Sequence, residues 1–427
     1  MSPPRTPPSN SNNQPSVQPV GFSWMSPRPG NQRSNWSSSQ QQQQQQEQPS
    51  PTRHGRSGLE NPFPDLQISP SRSSTQSSQF KSFRATIRNS RFPNWTSISK
   101  ATGPPQQVNF TIKMNNGYRQ YSTSDPANLA NELFRDLSTD ILEVRKRMGD
   151  SKMSELMSDE ITSAMMSLVF SSNLIERAGL GLDATVKICE KIFRGEEVDA
   201  KDCDERSSEY AQSLQDLALR NNPATKEHVV RSRREIIQHA RALQHIIRKI
   251  ALEHQPLSEQ IIRDTHKILT TGIDAQNGEK SVSSASYGGV YRTVPVMAGE
   301  TCFVPPAKIG GCMRDFISEY NSDVRKYEED GLMDPFWLAA KLCDKFVNIH
   351  PFLDGNGRMC RLVLNAVLLK YTGIIVSIGE HDGERTEYIG IAKRASNTME
   401  GPGELAVLIL KKATQRFKTL KQKMMQK

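Results

Sequence analysis

From residue 125 to 424, apolar side chains recur in stretch after stretch at steps of three and four, the spacing of a buried helix face, and only over 288–304 does a strand-like pattern replace it. Ala130, Leu133, Leu137, Ile141 and Val144 set the first such face and predict a helix over 125–148. The same spacing predicts helices over 154–171, 183–194, 204–221, 226–252, 257–271, 306–328, 334–349, 357–371, 384–399 and 403–424. Between 288 and 304, β-branched and aromatic residues flank Ala298-Gly299-Glu300, which reads as a hairpin. No period of fixed length appears, so a solenoid is excluded. The body is therefore predicted to be one mostly α domain with a single small β element.

The first 120 residues are of another kind. They carry thirteen Lys and Arg against three Asp and Glu, while the remaining 307 carry 42 against 43. The net charge of +9 thus belongs to the tail, and the body is electrically balanced. Residues 1–110 are rich in Ser, Pro, Gln and Asn, with seven glutamines in a row at 40–46. Such a segment buries too little apolar surface to offset the entropy of ordering it, so residues 1–120 are expected to form a disordered basic tail. Its arginines, Arg53, Arg56 and Arg72 among them, suit either a docking arm or a plain solvated tail. With sparse aromatics and no RNA-binding signature, no nucleic-acid partner is expected. No run of eighteen apolar residues predicts a membrane span, and Met-Ser-Pro-Pro-Arg is not a secretory leader. The six cysteines are scattered without a C-x-x-C pair, which argues against a zinc ribbon or a disulfide scaffold and points to a reducing compartment, cytosol or nucleus.

One stretch carries chemistry: His350-Pro351-Phe352-Leu353-Asp354-Gly355-Asn356-Gly357-Arg358-Met359-Cys360-Arg361. Upstream, Asp334 is a good N-cap and Pro335 suits the first helical position, so a helix delivers His350 at its C-terminal end. Downstream, a near-continuous apolar helix runs to Gly373. The stretch is a helix–loop–helix, and its loop suits a polyphosphate. Gly355, Asn356 and Gly357 put backbone amides at a helix N-terminus, where anions bind. Arg358 and Arg361, three apart, share a helix face beside them. Asp354 offers a hard oxygen to Mg²⁺ on a nucleotide, and His350 can take a proton near neutral pH.

Plainer readings compete. Asp354 also suits the N-cap of the second helix, and Phe352 and Leu353 suit core plugs. An EF-hand is excluded, because its first and twelfth ligands would be Phe352 and Val363. There is no G-x-x-x-x-G-K-[ST], hence no P-loop.

Residues 350–361 resemble the signature of the Fic (Fido) family, H-P-F-x-[DE]-G-N-G-R-x-x-R, at each fixed position. Gly289-Val290-Tyr291-Arg292, Val294, Val296 and Pro305-Pro306 resemble that family's β-hairpin flap, and the likeness spans about 160–415. The resemblance implies a protein adenylyltransferase that moves AMP from Mg²⁺-ATP to a hydroxyl of a target protein. His350 would be the general base and Asp354 the Mg²⁺ ligand. Gly355, Asn356 and Gly357 would form the anion hole, while Arg358 and Arg361 would hold the β- and γ-phosphates. The flap at 289–304 would align an extended target segment. Arg385, Tyr388 and Asn397 loosely resemble the family's nucleotide-contacting helix, with Tyr388 and Asn397 against adenine.

Ser171-Ser172-Asn173-Leu174-Ile175-Glu176-Arg177 resembles the family's inhibitory signature [ST]-x-x-x-E-[GN], with Ser172 and Glu176 in its fixed places. The implied role of Glu176 is to pair with Arg361 and keep the γ-phosphate out, and Arg177 departs from the usual Gly or Asn. The implied organisation is a tail over 1–120, N-terminal helices with this motif over 121–200, and a Fic core over 201–427. Removal of AMP, transfer of another nucleotide or phosphate, and ATP binding without catalysis stay open as alternatives, as does a homodimer.

Overall fold

In the computed structural model, which describes residues 20–21, 111–120, 126–147, 151–277, 280–298, 301–398 and 401–426, helices run where the apolar spacing puts them. They are α1 (Pro126–Arg147), α2 (Ser151–Ile175), α3 (Leu182–Arg194), α4 (Ser208–Leu219), α5 (Lys226–Ile247) and α6 (Glu259–Thr270). After the flap come α7 (Pro306–Asp330), α8 (Pro335–Ile349), α9 (Asn356–Thr372), α10 (Asp382–Thr398) and α11 (Gly403–Gln426). α2 extends beyond its predicted end, so the 171–175 part of the inhibitory-like motif is its last turn.

α9 is the centre. Lys370 is its one residue that is not fully buried, so packing must close on it from all sides. α8 lies along it, α5, α2 and α6 cover other faces, and α1 seals α11, which packs on α8. Phe346 and Phe352 fill the space around the α8–α9 turn, each 0% exposed and 6.4 Å apart between centroids. Phe352 and Leu353 are thus the core plugs their chemistry suggests. Among the described residues no helix is long and apolar enough to cross a membrane.

The predicted hairpin is present but short: β5 (Val296–Ala298) pairs antiparallel with β6 (Thr301–Cys302). It is not the single β element. β3 (Ala275–Asn277) and β4 (Lys280–Val282) form a second hairpin. β2 (Thr111–Ile112) runs parallel to β7 (Leu332–Met333), and β1 (Val20–Gly21) runs parallel to β5. Strands of two or three residues are too short to carry an apolar alternation, which is why the sequence pattern misses them.

Two further expectations are corrected. Residues 111–120 belong to the body rather than to the tail: Tyr118 is 1% exposed with its ring edge-on to Trp337, 5.1 Å between centroids. The rest of the predicted tail, β1 apart, lies outside the described residues. The scattered cysteines also hide a bridge, since Cys343 on α8 and Cys360 on α9 are joined as a disulfide. Helix packing brings together two residues that no spacing pattern relates. The bridge also removes the ground on which cysteine usage points to a reducing compartment.

Asp334 caps α8 as expected and does more. Its Oδ1 accepts from the Phe336 and Trp337 N–H groups, and its Oδ2 accepts from the Asn115 N–H at 2.8 Å. The cap of the helix that delivers His350 therefore also anchors the 111–120 segment. Asp334→Ala is expected to cost about 1–3 kcal/mol, a lost cap plus a stranded buried amide. For a body of this size that lowers the melting temperature by roughly 2–5 °C. Thermal unfolding followed by circular dichroism checks this, and a fall below one degree would show that the cap carries nothing.

Candidate active site at the α8–α9 loop

His350 ends α8 in the left-handed region, φ 51, a conformation that L-residues other than Asn, Asp and His seldom take. Its backbone N–H still donates to the Phe346 carbonyl, so the helix closes onto the ring. Phe303 of the flap stacks on that ring at 3.9 Å and 11°. Nδ1 lies 3.2 Å from the Val347 carbonyl, which can only accept, so Nδ1 bears the proton and Nε2 is the basic nitrogen. Burial pulls the His350 pKa down to about 3; the Val347 carbonyl and Asp354 oppose this and Arg292 adds to it. The imidazole is neutral at working pH.

Arg292 locks the flap to this loop. Its guanidinium donates to the His350 carbonyl at 2.7 Å, to Val294 at 3.0 Å and to Val304 at 2.6 Å, and its own N–H donates to the Pro351 carbonyl. Both legs of the flap and the loop thus meet on one side chain. The flap resemblance includes Arg292 without indicating this role.

The loop is braced internally as well. The Asn356 side chain accepts from the Phe352 N–H and donates to the Phe352 carbonyl, a closed pair. Gly355 caps α9 at φ 78, which requires glycine on backbone grounds alone. Asp354 precedes the cap and is not itself the N-cap. Its Oδ1 accepts from the Gly355 N–H at 2.7 Å, and its side chain is 35% exposed.

Arg358 and Arg361 enter from the first turns of α9, where helix amides have no intrahelical partner. Arg358 is buried with Nε and Nη1 unpartnered, and its Nη2 reaches Asp354 only at 3.4 Å. Burial works against its charge, but Asp354, Glu235 and Glu176 together hold its pKa above the ordinary guanidinium value. Arg361 is 1% exposed with Nη1 unpartnered. Buried donors without acceptors are rare enough to need a reason, and an anion supplies one. Together with the amides and His350, the arrangement can hold a polyphosphate and take a proton beside it.

The inhibitory-like motif reaches the same point. The Ser172 Oγ accepts from Arg361 Nε at 2.8 Å, and Glu176 Oε1 accepts from Arg361 Nη2 at 2.7 Å. The structure therefore brings Ser172, Glu176 and Arg361 together across 185 residues or more of sequence. Arg177 does not compete for Glu176. Its N–H donates to the Leu174 carbonyl and that of Ala178 to the Asn173 carbonyl, with Arg177 at φ 55. That is a Schellman C-cap with Arg177 at its left-handed position, where Gly or Asn fits without strain. The preference for Gly or Asn after the glutamate is thus a backbone requirement that this chain violates. The turn is held by His239 Nδ1 on Asn173 Oδ1 at 2.8 Å, Arg385 Nε on the Ile175 carbonyl, and Arg220 on the Ala178, Gly179 and Leu180 carbonyls. His239 is buried and, by burial first and then by Arg358 and Arg361, held neutral. A lone histidine on an apolar face gives no sequence signal for this.

Tyr388 lies buried beneath Arg361, whose guanidinium carbon is 5.6 Å from the ring centroid. Asn397 is in the last turn of α10, but its side chain lies outside the described residues. Instead Ile389, Ala392 and Ser396 of α10 face Ala298 and Phe303 of the flap across a small apolar pocket beside His350's helix. Their helical spacing was visible in the sequence, but the partner across the gap was not.

The profile of the Fic/DOC family matches residues 256–368. A Fido domain-containing protein of Dictyostelium discoideum is 36% identical over 123 residues, 29% of this chain and 83% of that protein. Protein adenylyltransferase Fic of Culex quinquefasciatus is 33% identical over 107 residues, 25% of this chain and 20% of that protein. A Fic domain-containing signaling protein of Bacteroides thetaiotaomicron superposes with a TM-score of 0.50 at 18% identity, covering 68% of this chain and 98% of that one.

Relieving the Arg177 backbone tests the C-cap. Arg177→Gly is expected to stabilise the fold by about 1 kcal/mol, whereas Arg177→Ala keeps the left-handed penalty and gains nothing. Equal unfolding midpoints in denaturant for the Gly and Ala variants would assign any effect to the lost charge instead.

Proposed function

The chain belongs to the Fic/DOC family, and from that membership we propose that it is a protein adenylyltransferase held in check by Glu176. The observation that carries this is the pair of buried arginines on α9 with unpartnered donors beside a neutral His350. ATP fits because a triphosphate supplies the acceptors those donors lack. Arg358 takes the β- and γ-phosphates, Arg361 the γ-phosphate, and the Gly355–Gly357 amides the anion between them. The apolar pocket between α10 and the flap suits the adenine.

Mg²⁺ fits in a limited sense. Among the described residues no group of three or more His, Cys, Asp or Glu side chains could hold a metal, and Asp354 is the loop's one carboxylate. A single partly exposed carboxylate suits a Mg²⁺ that arrives on the nucleotide, where it neutralises phosphate charge. The chain's own residues do the rest. His350 Nε2 removes the proton from an acceptor hydroxyl, whose oxygen bonds to the α-phosphorus as the bond to the β-phosphate oxygen breaks and pyrophosphate leaves. Such chemistry needs positioning and charge neutralisation more than covalent machinery. The acceptor comes on an extended segment of a target protein laid along the flap. That β5 takes Val20–Gly21 in parallel register supports strand addition there.

Glu176 and a γ-phosphate require the same donor. While Glu176 holds Arg361 Nη2 at 2.7 Å, the phosphate loses a charge-assisted contact and ATP seats unproductively. This reading divides the chain into a tail that ends before residue 111, helices carrying Glu176 over 121–200, and a core over 201–427 on which residues 111–120 are anchored.

Incubation with α-labelled ATP and Mg²⁺ tests the proposal. His350→Ala is expected to cut self- and lysate labelling about 10²–10⁴-fold with ATP affinity nearly intact. An equal loss of affinity and labelling makes His350 structural. Glu176→Gly is expected to raise self-labelling about tenfold or more, the worth of one charge-assisted hydrogen bond, and Arg361→Ala to abolish the gain. If Glu176→Gly and the unchanged protein label equally fast at saturating ATP, Glu176 is not inhibitory.

A further inference from the structure

His266, on α6, is fully buried and belongs to none of the motifs above. Its ring lies flat on Phe352 of the α8–α9 loop, 3.7 Å between centroids and 3° between planes. Nδ1 is 2.9 Å from the Gly289 N–H and Nε2 is 2.9 Å from the Asp354 carbonyl oxygen. The two partners fix the tautomer. A backbone N–H can only donate and a carbonyl can only accept, so Nδ1 is bare and Nε2 carries the proton.

What the ring joins is specific. Gly289 is where the chain enters the flap, and Asp354 immediately precedes the α9 cap. Glycine stands at both ends on backbone grounds: Gly289 is at φ 73, where a Cβ would also meet the Arg263 carbonyl at 2.7 Å, and Gly355 is at φ 78 with the His266 ring packed beside it. Arg263, three residues before His266, donates to the Gly289 carbonyl at 2.7 Å, so α6 grips both sides of one peptide position. Arg292 ties the flap's legs to His350; His266 ties its entrance to the far end of the same loop.

We propose that His266 is a positioning residue: its two ring nitrogens hold the flap entrance and the Asp354 peptide at a fixed separation, so that an acceptor carried by the flap meets the loop in register. This rests on the adenylyltransferase reading for its consequence, but the clamp is a claim about the backbone. A residue that only filled space would be served by any flat ring. The nitrogens at opposite sides of this ring, each matched to a group of the opposite role, define a spacer with two addressed ends. His266 bonds the carbonyl side of the Asp354–Gly355 peptide, whose N–H is held by Asp354 Oδ1, so its loss is felt first at the flap entrance and the acceptor it carries.

Three full-length proteins decide it: the unchanged chain, His266→Phe, which keeps a flat ring against Phe352 but bonds nothing, and His266→Gln, whose amide can accept from Gly289 and donate to Asp354. Hydrogen exchange followed by mass spectrometry reads the amides of 288–292 against those of α6 and α9. Labelling with α-labelled ATP reads ATP affinity separately from the rate at saturating ATP. In His266→Phe the 288–292 amides are expected to exchange about tenfold faster with α6 and α9 unchanged. ATP affinity stays within about threefold, and the saturated labelling rate falls about 10–100-fold, the size of effect that small misplacements produce. His266→Gln is expected to recover most of both.

The proposal is overturned if His266→Phe exchanges and labels like the unchanged chain. It is equally overturned if affinity falls as far as rate, or if Gln and Phe lose protection throughout α6 and α9 alike, which marks core packing. If the unchanged chain transfers no nucleotide at all, the adenylyltransferase reading falls alone. The exchange comparison then decides the clamp: local protection in the unchanged chain and Gln but not Phe upholds it, and equal exchange in all three overturns it.

Discussion

A helix buried on nearly every face cannot carry two guanidinium groups unless something answers them. α9 is such a helix, and Arg358 and Arg361 are 5% and 1% exposed within it. Removing a charge from water costs several kcal/mol even after relaxation, so the surroundings must return most of it. They do so in part: Glu176, Ser172 and Tyr388 gather on Arg361, and Asp354 with the fields of Glu235 and Glu176 on Arg358. The unanswered remainder, Arg358 Nε and Nη1 and Arg361 Nη1, is what makes the site receptive to an anion. Stability and binding are thus set by one unfinished account of charge.

The same constraint explains why the end of α2 lies where it does. Arg361 needs a carboxylate, and Glu176 at the last turn of α2 supplies it from 185 residues away in sequence. To present that side chain, the helix must stop at once, which puts residue 177 in the left-handed region. The chain has arginine there, and the turn persists because His239 of α5 holds the Asn173 side chain, while Arg220 at the end of α4 and Arg385 of α10 hold its carbonyls. Strain at one residue survives because several contacts determine its position.

The loop between α8 and α9 follows a similar rule. His350 and Gly355, both at positive φ, bracket four residues, and Asn356, Arg292 and His266 each tie that short span to something rigid. Only Asn356 is internal to the loop. The other two arrive from the flap and from α6, so the loop's geometry depends on elements some 60 to 90 residues upstream.

Much of this was legible in the chain itself. Helix positions followed from the apolar pattern, because burial of one face leaves a periodic trace and burial of every face, as in α9, a near-continuous apolar run. The residues of 350–361 stood out because glycines at a helix start, two arginines one turn apart and a histidine together suit an anion. What the sequence could not supply was anything that depends on two distant segments meeting. Two- and three-residue strands, the Tyr118 anchor, the Cys343–Cys360 bridge, and the partners of His239, His266 and Arg292 all belong to that class. Arg177 shows the division at one residue. Its departure from Gly or Asn was visible by inspection, but that the position is a left-handed C-cap was not. Local pattern determines which segments become helices and which residue types stand at the turn between them. Only the packed tertiary structure decides which side chains are left without water, and therefore which must find each other.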